Sequence, residues 1–329
     1  MNFLRLGAIV SLILCLQTSC GEKGAIDATP KFEDMLTRWA DDIIIPGYQE
    51  YVQRLNTLNE SIESLATEPT LDNLMETRTQ WLSAYTSWQS VSMFDIGLAE
   101  QIGLRNFTNI YPSDTARIYE SAQAGDVNLE LPSNMAIQGF PAMESILYLS
   151  ENPAETVNIL QTQESYRDYL LALGQRLNDI GTAASDDWLN GYREVFIAAS
   201  GSTATSSVNK MANDFLFYYE KAFRANKIGI PAGIFSNSPL ADRVEGRYAN
   251  GTSKALFLAA LDATQHFFNG QPFAHDGAGL GFASYLEELD KSDIALDINA
   301  QFDKARELAL MMDDDFEQQV QNDNSQMLA

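Results

Sequence analysis

Apolar residues recur at helical spacing along most of this chain, and few stretches alternate polar with apolar residues as a β-strand would. A long helix is predicted from Phe32 to about Ala66. Pro46 should kink it, because proline lacks the N–H that a helix interior needs. A later helix is predicted over residues 206–227, with Tyr219 and its apolar neighbours on the buried side. The pattern therefore predicts an all-α protein.

The helix that follows Pro69 carries Trp81, Tyr85 and Trp88 on one face, at positions i, i+4 and i+7. Such a stripe can form an aromatic platform for a ligand, but a core stripe is the more common meaning of this pattern. We therefore interpret the three side chains as core.

Both halves of the chain begin with paired helices and have similar lengths. This organisation is typical of helical bundles. We predict two helical-bundle domains packed together, over residues 32–153 and 154–329, with the boundary at Asn152 and Pro153.

The most unusual stretch lies near the middle of the chain, at residues 137–148, where Gly139 and Pro141 interrupt an apolar run. We predict a break at Gly139, with Pro141 in the first turn of the next helix. Glu144 then lies on an otherwise apolar face, where a carboxylate is either paired or functional. The two possibilities stay open: a ligand site, or a buried ion pair with Arg105, Arg117 or Arg247.

This stretch resembles the Gly-x-His-x-x-Glu motif of the imelysin family. Gly139 and Glu144 match the motif, whereas Pro141 stands where the family has histidine. The resemblance continues through nearly all of the chain from about Phe32. It includes the opening at residues 38–48, the helix with Trp81, Tyr85 and Trp88, and the late segment at residues 279–286.

The resemblance implies a functional cleft around Gly139–Glu144, where the two halves meet. Arg38 and Asp41 on the first helix and His275 in a Gly-rich loop are further candidates for this cleft, since loop residues on rigid scaffolds often carry function. The motif His and Glu would together bind a metal. Pro141 offers no metal ligand, so only weak binding of iron or another divalent metal is expected, through Glu144.

The family is associated with iron-regulated and iron-uptake proteins, and it is often classified among metallopeptidases. A catalytic zinc normally has three protein ligands, whereas the chain has two histidines, His266 and His275. We therefore expect a non-catalytic ligand-binding role linked to the uptake of iron, another metal or haem, with a possible protein partner in uptake. The alternatives are a metallopeptidase and a surface interaction module.

The 329 residues carry a formal charge of −24, which argues against nucleic acid as a partner, because that needs a basic surface. The acidity is compatible with cationic ligands, but a solvated acidic surface is the more common explanation of such a charge. The charge thus argues against one class of partner, nucleic acid, and does not identify the ligand.

Residues 1–20 have the pattern of an export signal, with Arg5 before the apolar segment Leu6–Leu16, which is too short to span a bilayer. A small residue before Cys20 resembles a bacterial lipoprotein cleavage site. Lipidation of Cys20 is therefore expected, with residues 21–31 as a polar tether. These features predict an exported protein that is lipid-anchored to a bacterial membrane, on the periplasmic or outer-membrane side.

Overall fold

The computed structural model describes residues 32–249, 251–275, 277 and 279–328, and every regular element in these ranges is helical. The all-α prediction is thus confirmed. No helix within the described ranges is long and apolar enough to cross a membrane. The predicted signal, the tether and Cys20 lie outside these ranges and stay predictions.

The first part of the chain forms one long helix, interrupted by a π-helical segment, followed by a second long helix and several short ones. The π-helical segment Trp39–Ile44 lies within the first, before Pro46, so the chain accommodates the proline by a local change of helix type. The elements are α1 (Glu33–Arg38), α2 (Ile45–Thr67), α3 (Leu71–Val91), α4 (Leu98–Ile102), α5 (Leu104–Thr108), α6 (Thr115–Ala124), a 3₁₀ segment (Pro132–Ile137) and α7 (Gly139–Leu147).

The later part begins at Pro153, where the Asn152 side chain caps the helix by accepting a hydrogen bond from the Ala154 N–H. Its helices are α8 (Pro153–Thr162), α9 (Glu164–Asp187), α10 (Arg193–Ala198), α11 (Ser207–Phe217), α12 (Thr252–Phe268), α13 (Phe282–Glu288), α14 (Ser292–Met311), α15 (Phe316–Asn322) and α16 (Ser325–Leu328). Two π segments (Trp188–Tyr192 and Tyr218–Gly229) and a 3₁₀ turn (Ala241–Arg243) lie between them.

Helices from both sides of Pro153 pack against each other. Both α3 and α9 lie along α2, and Gly181 of α9 lets the two backbones approach, since a Cβ there would lie 2.7 Å from Leu55 Cδ1. The chain from Phe32 onward forms one compact unit. The two-bundle division at Pro153 is therefore not confirmed, because α9 shares its core with α2.

The aromatic stripe of α3 is core, as predicted: Trp81, Tyr85 and Trp88 are all buried. The ring of Tyr85 stacks on Phe140 of α7, with 4.5 Å between the ring centroids. The Trp81 indole N–H donates to the Phe140 carbonyl oxygen at 3.1 Å. The stripe thus fixes the position of α7 in the middle of the molecule.

Candidate functional site

Helix α7 contains the motif stretch, and all nine of its residues are buried. The break before it is at Gly139, as predicted, with φ of +75°. A Cβ at this position would overlap the carbonyl oxygen of Thr108. Only glycine fits, because it alone lacks a Cβ and tolerates a positive φ at little cost.

Pro141 lies in the first turn of α7, as predicted. In the first turn its missing N–H has no partner to lose, so the roughly 3 kcal/mol penalty of a proline in a helix interior does not apply. Replacing Pro141 with histidine would therefore not remove a helix-interior penalty. The side chain is buried and supplies no donor or acceptor.

Glu144 is buried, with 3% of its surface exposed, and its partners are main-chain groups. Its Oε1 accepts hydrogen bonds from the N–H of Tyr248 at 2.7 Å and from the N–H of Ala249 at 2.9 Å. Burial raises the pKa of Glu144 to about 8, although the two N–H donors favour the ionised form. These two hydrogen bonds thus connect the segment before α12 to the motif helix.

Of the two alternatives left open for Glu144, the ion pair with one of three arginines is not formed in the structure. Each of the three candidate arginines has its polar partners elsewhere, because tertiary packing brings other acceptors closer. Arg105 binds Asp214 at 3.1 Å, Arg117 donates to Asn134 Oδ1 at 2.7 Å, and Arg247 binds Glu317 at 2.8 Å.

A buried ion pair that the sequence did not indicate lies near Glu144. Lys227 and Glu245 contact each other directly, and each is less than 5% exposed. The Lys227 ammonium also donates to Gln89 Oε1 at 2.9 Å, and Asn109 Nδ2 donates to Glu245 Oε1 at 2.7 Å. Burial lowers the pKa of Lys227. The pair joins the segment before α12 to α3 and to the residue after α5.

The other candidate residues have contacts of their own. Arg38 binds Asp42 at 3.1 Å on the exposed face of the first helix. Asp41 accepts two hydrogen bonds from Arg193, at 2.5 and 2.6 Å. His275 is exposed. Among the described residues, no hydrogen bond or ion pair joins any of the three to Glu144, so their place in one cleft stays a prediction.

The donor set at α7 does not fit the metal of a zinc peptidase. Pro141 has no lone pair to offer, Glu144 already accepts two N–H groups, and Glu245 is paired with Lys227. Within the ranges that the structure describes, no three His, Cys, Asp or Glu side chains converge as a metal site. A catalytic zinc takes three such ligands and a water.

A cavity of a different character lies between α11, α12, α14 and the π segment Tyr218–Gly229. It has a volume of about 600 Å³ and is partly open to solvent. Its walls are almost entirely apolar, and six phenylalanines contribute to them: Phe215, Phe223, Phe257, Phe268, Phe282 and Phe302. Volume and lining are typical of sites for small apolar ligands.

The π segment forms one wall of this cavity and also one wall of a small polar cavity. Tyr219 and Ile228 face the apolar cavity, while Tyr218 and Lys227 face the polar one, which measures about 30 Å³. Residues nine apart lie on opposite faces of an α-helix, which has 3.6 residues per turn. With i→i+5 hydrogen bonds, nine residues make about two turns, so each pair shares a face.

Comparison with known proteins decides the family. The family model described as imelysin, Peptidase_M75, matches residues 44–329. This chain belongs to the imelysin family. The resemblance that Gly139 and Glu144 carry is thus confirmed, with Pro141 as a departure from the motif.

Two solved structures have the same fold. One is an imelysin-like protein from Psychrobacter arcticum 273-4, with a TM-score of 0.71 and 19% identity. The other, from Parabacteroides distasonis ATCC 8503, is provisionally identified as an iron-regulated protein A precursor, with a TM-score of 0.74 and 16% identity. Each comparison covers 91% of both chains. At this identity the likeness shows the fold, and no curated protein sequence matches the chain.

Proposed function

We propose that this imelysin-family protein is an exported binding protein without peptidase activity, and that its ligand occupies the apolar cavity. The observation that carries the proposal is the cavity itself, with about 600 Å³ of space between aromatic walls. The motif helix offers no comparable space, because every residue of α7 is buried. Burial of apolar surface would supply the binding energy.

Among the ligands that the family resemblance implies, haem suits this cavity better than a bare metal ion. An ion needs several converging polar ligands, whereas these walls are apolar. A porphyrin needs a large apolar site and one or two side chains able to reach the iron. Tyr219, Met312 and Met327 line the cavity, and phenol and thioether groups are known axial ligands of haem iron.

Export and lipid anchoring belong to the same proposal. Cys20 would carry the lipid, and residues 21–31 would tether the helical body to the membrane, where a protein partner in uptake can be met. Eleven extended residues span at most about 35–40 Å. In cells, Cys20→Ser should move the protein from the membrane fraction to the soluble fraction. An unmodified Cys20 in a membrane-bound protein would contradict this part.

The ligand proposal is tested by titrating haem into the purified protein and following its absorbance. Ala305 lines the cavity on α14, so Ala305→Phe should fill part of the space and weaken haem binding at least tenfold. Ala154→Phe is the matched control, because Ala154 is exposed on α8, away from the cavity lining, and this variant should bind as before. An unchanged haem spectrum on titration, or equal affinity in all three proteins, would refute the proposal.

The peptidase alternative has its own measurement. Because the donors at α7 do not suit zinc, added zinc should produce no hydrolysis of unfolded protein substrates. Metal-dependent hydrolysis that disappears in Glu144→Ala, while the variant keeps its helical circular dichroism, would establish the peptidase instead.

A further inference from the structure

We propose that Arg224 recognises a carboxylate of the ligand and so determines which apolar molecules the cavity accepts. This inference rests on the proposed function, since it names the ligand class of the same cavity. The class is a large apolar body with a carboxylate at one end. Porphyrins with propionate groups and long-chain fatty acids both belong to it.

The charge of the cavity lining supports this assignment. Among the described residues that line the cavity, Arg224 is the only charged one, and it is positive. Its side chain is 46% exposed, so the guanidinium lies towards solvent while the walls behind it are apolar. A ligand whose apolar body fills the cavity would therefore keep an anionic end beside Arg224.

The π-helical geometry explains why Arg224 faces the cavity. In an α-helix, Arg224 would point well away from Tyr219, since five residues exceed one turn of 3.6 by more than a third of a turn. The wider π turn brings residues five apart close to one line. Tyr219, Arg224 and Ile228 accordingly all line the same cavity. Such segments occur frequently at functional sites.

Glu220 is the carboxylate that pairs with Arg224 in the structure, and a ligand carboxylate would compete with it. Its Oε2 accepts a hydrogen bond from Arg224 Nη2 at 2.6 Å. The pair is exposed on both sides, at 46% and 50%, and exposed ion pairs contribute little to stability, so exchange for another carboxylate costs little. Arginine suits this role because its planar fork can bind a carboxylate through two parallel hydrogen bonds.

The test compares each acid with a neutral partner of the same body: protoporphyrin IX with its dimethyl ester, and palmitic acid with cetyl alcohol. Binding is followed by quenching of the protein's tryptophan fluorescence. We expect at least one acid to bind about tenfold more tightly than its neutral partner. Arg224→Gln should abolish that preference without weakening the neutral compound. Glu220→Gln should strengthen binding of the acid, because it removes the competing carboxylate.

Arg243→Gln is the matched control, because Arg243 is an exposed arginine paired with its neighbour Asp242 and does not line the cavity. It should keep the preference for the acid. Equal affinity for acid and neutral compound in the unmodified protein, or a preference that survives Arg224→Gln, would overturn the inference while leaving the cavity as a binding site. Absence of binding by all four compounds would instead overturn the proposed function. Whichever acid binds more tightly, protoporphyrin IX or palmitic acid, shows whether the ligand carboxylate belongs to a porphyrin or to a fatty acid.

Discussion

The motif helix and the apolar cavity differ in how completely their side chains are packed. All nine residues of α7 are buried, and the buried charged groups Glu144 and Lys227 have close hydrogen-bond partners. Around the cavity the side chains are apolar and about 600 Å³ is left unfilled. Protein interiors are normally packed without such voids. The contacts seen at α7 are thus structural ones, whereas the cavity is the place that we propose for the ligand.

The family motif can have a chemical role and a structural role, and in this chain the two are separated. A histidine at position 141 would place an imidazole beside Glu144, but Pro141 removes it. What the motif still provides is the glycine that lets α7 approach Thr108 and the carboxylate that holds Tyr248 and Ala249. Family membership therefore predicts the fold of this chain more directly than its chemistry.

The largest effect is expected from breaking the buried ion pair. Lys227→Met should lower the free energy of unfolding by about 3–5 kcal/mol, because it leaves Glu245 charged, buried and without its cation. Lys221→Met, an exposed lysine of the same π segment, should change it by less than about 0.5 kcal/mol. The double variant Lys227→Met/Glu245→Gln should recover much of the loss. Urea denaturation measures all three, and a Lys227→Met protein as stable as the original would show that the pair is not needed.

A somewhat smaller effect is expected at the start of α7. Gly139→Ala adds strain of about 1–2 kcal/mol from the positive φ, and its Cβ would also overlap the Thr108 carbonyl oxygen. We expect a total loss of about 3 kcal/mol in the free energy of unfolding. Gly125→Ala has a similar φ of +71° with nothing within 4 Å of the new Cβ, so it should lose only the strain. Equal losses in the two variants would show that the tight contact with Thr108 is absent.

Sequence reasoning succeeded where local chemistry decides the structure. The break at Gly139, the place of Pro141 in the first turn and the buried face of α3 follow from backbone sterics and from helical spacing. These effects need no knowledge of distant residues, so one stretch of sequence was enough.

The remaining features depend on partners that are distant in the chain. Glu144 binds backbone N–H groups more than 100 positions away, and no residue type signals such a donor. Lys227 is buried although lysine is usually exposed, because Gln89 and Glu245 come from other elements. The cavity could not be predicted for a related reason. Apolar residues at helical spacing predict that a helix face is buried, but they do not show whether other side chains fill the space against it.

The pH dependence of stability tests whether buried Glu144 is protonated in the folded protein. This measurement requires the finest comparison of the three. The pKa of Glu144 is about 8 in the folded protein, against 4.5 for the free side chain. Between these values the folded protein binds the proton and the unfolded chain does not, so the free energy of unfolding should fall as the pH rises. The decline should amount to about 1.4 kcal/mol per pH unit inside the window and stop above pH 8.

Glu144→Gln isolates this contribution, because the amide oxygen can still accept from Tyr248 and Ala249 but does not titrate. Burial raises the pKa of Asp95 to about 6 and adds to the slope in both proteins, so the difference between the two curves belongs to Glu144. We expect the variant's curve to fall less steeply between pH 4.5 and 8, as measured by denaturation at several pH values. Parallel curves would mean that the two N–H donors outweigh burial and keep Glu144 ionised. The hydrogen bonds from Tyr248 and Ala249 would then be made to an ionised carboxylate, and the motif helix would carry a negative charge near Glu245.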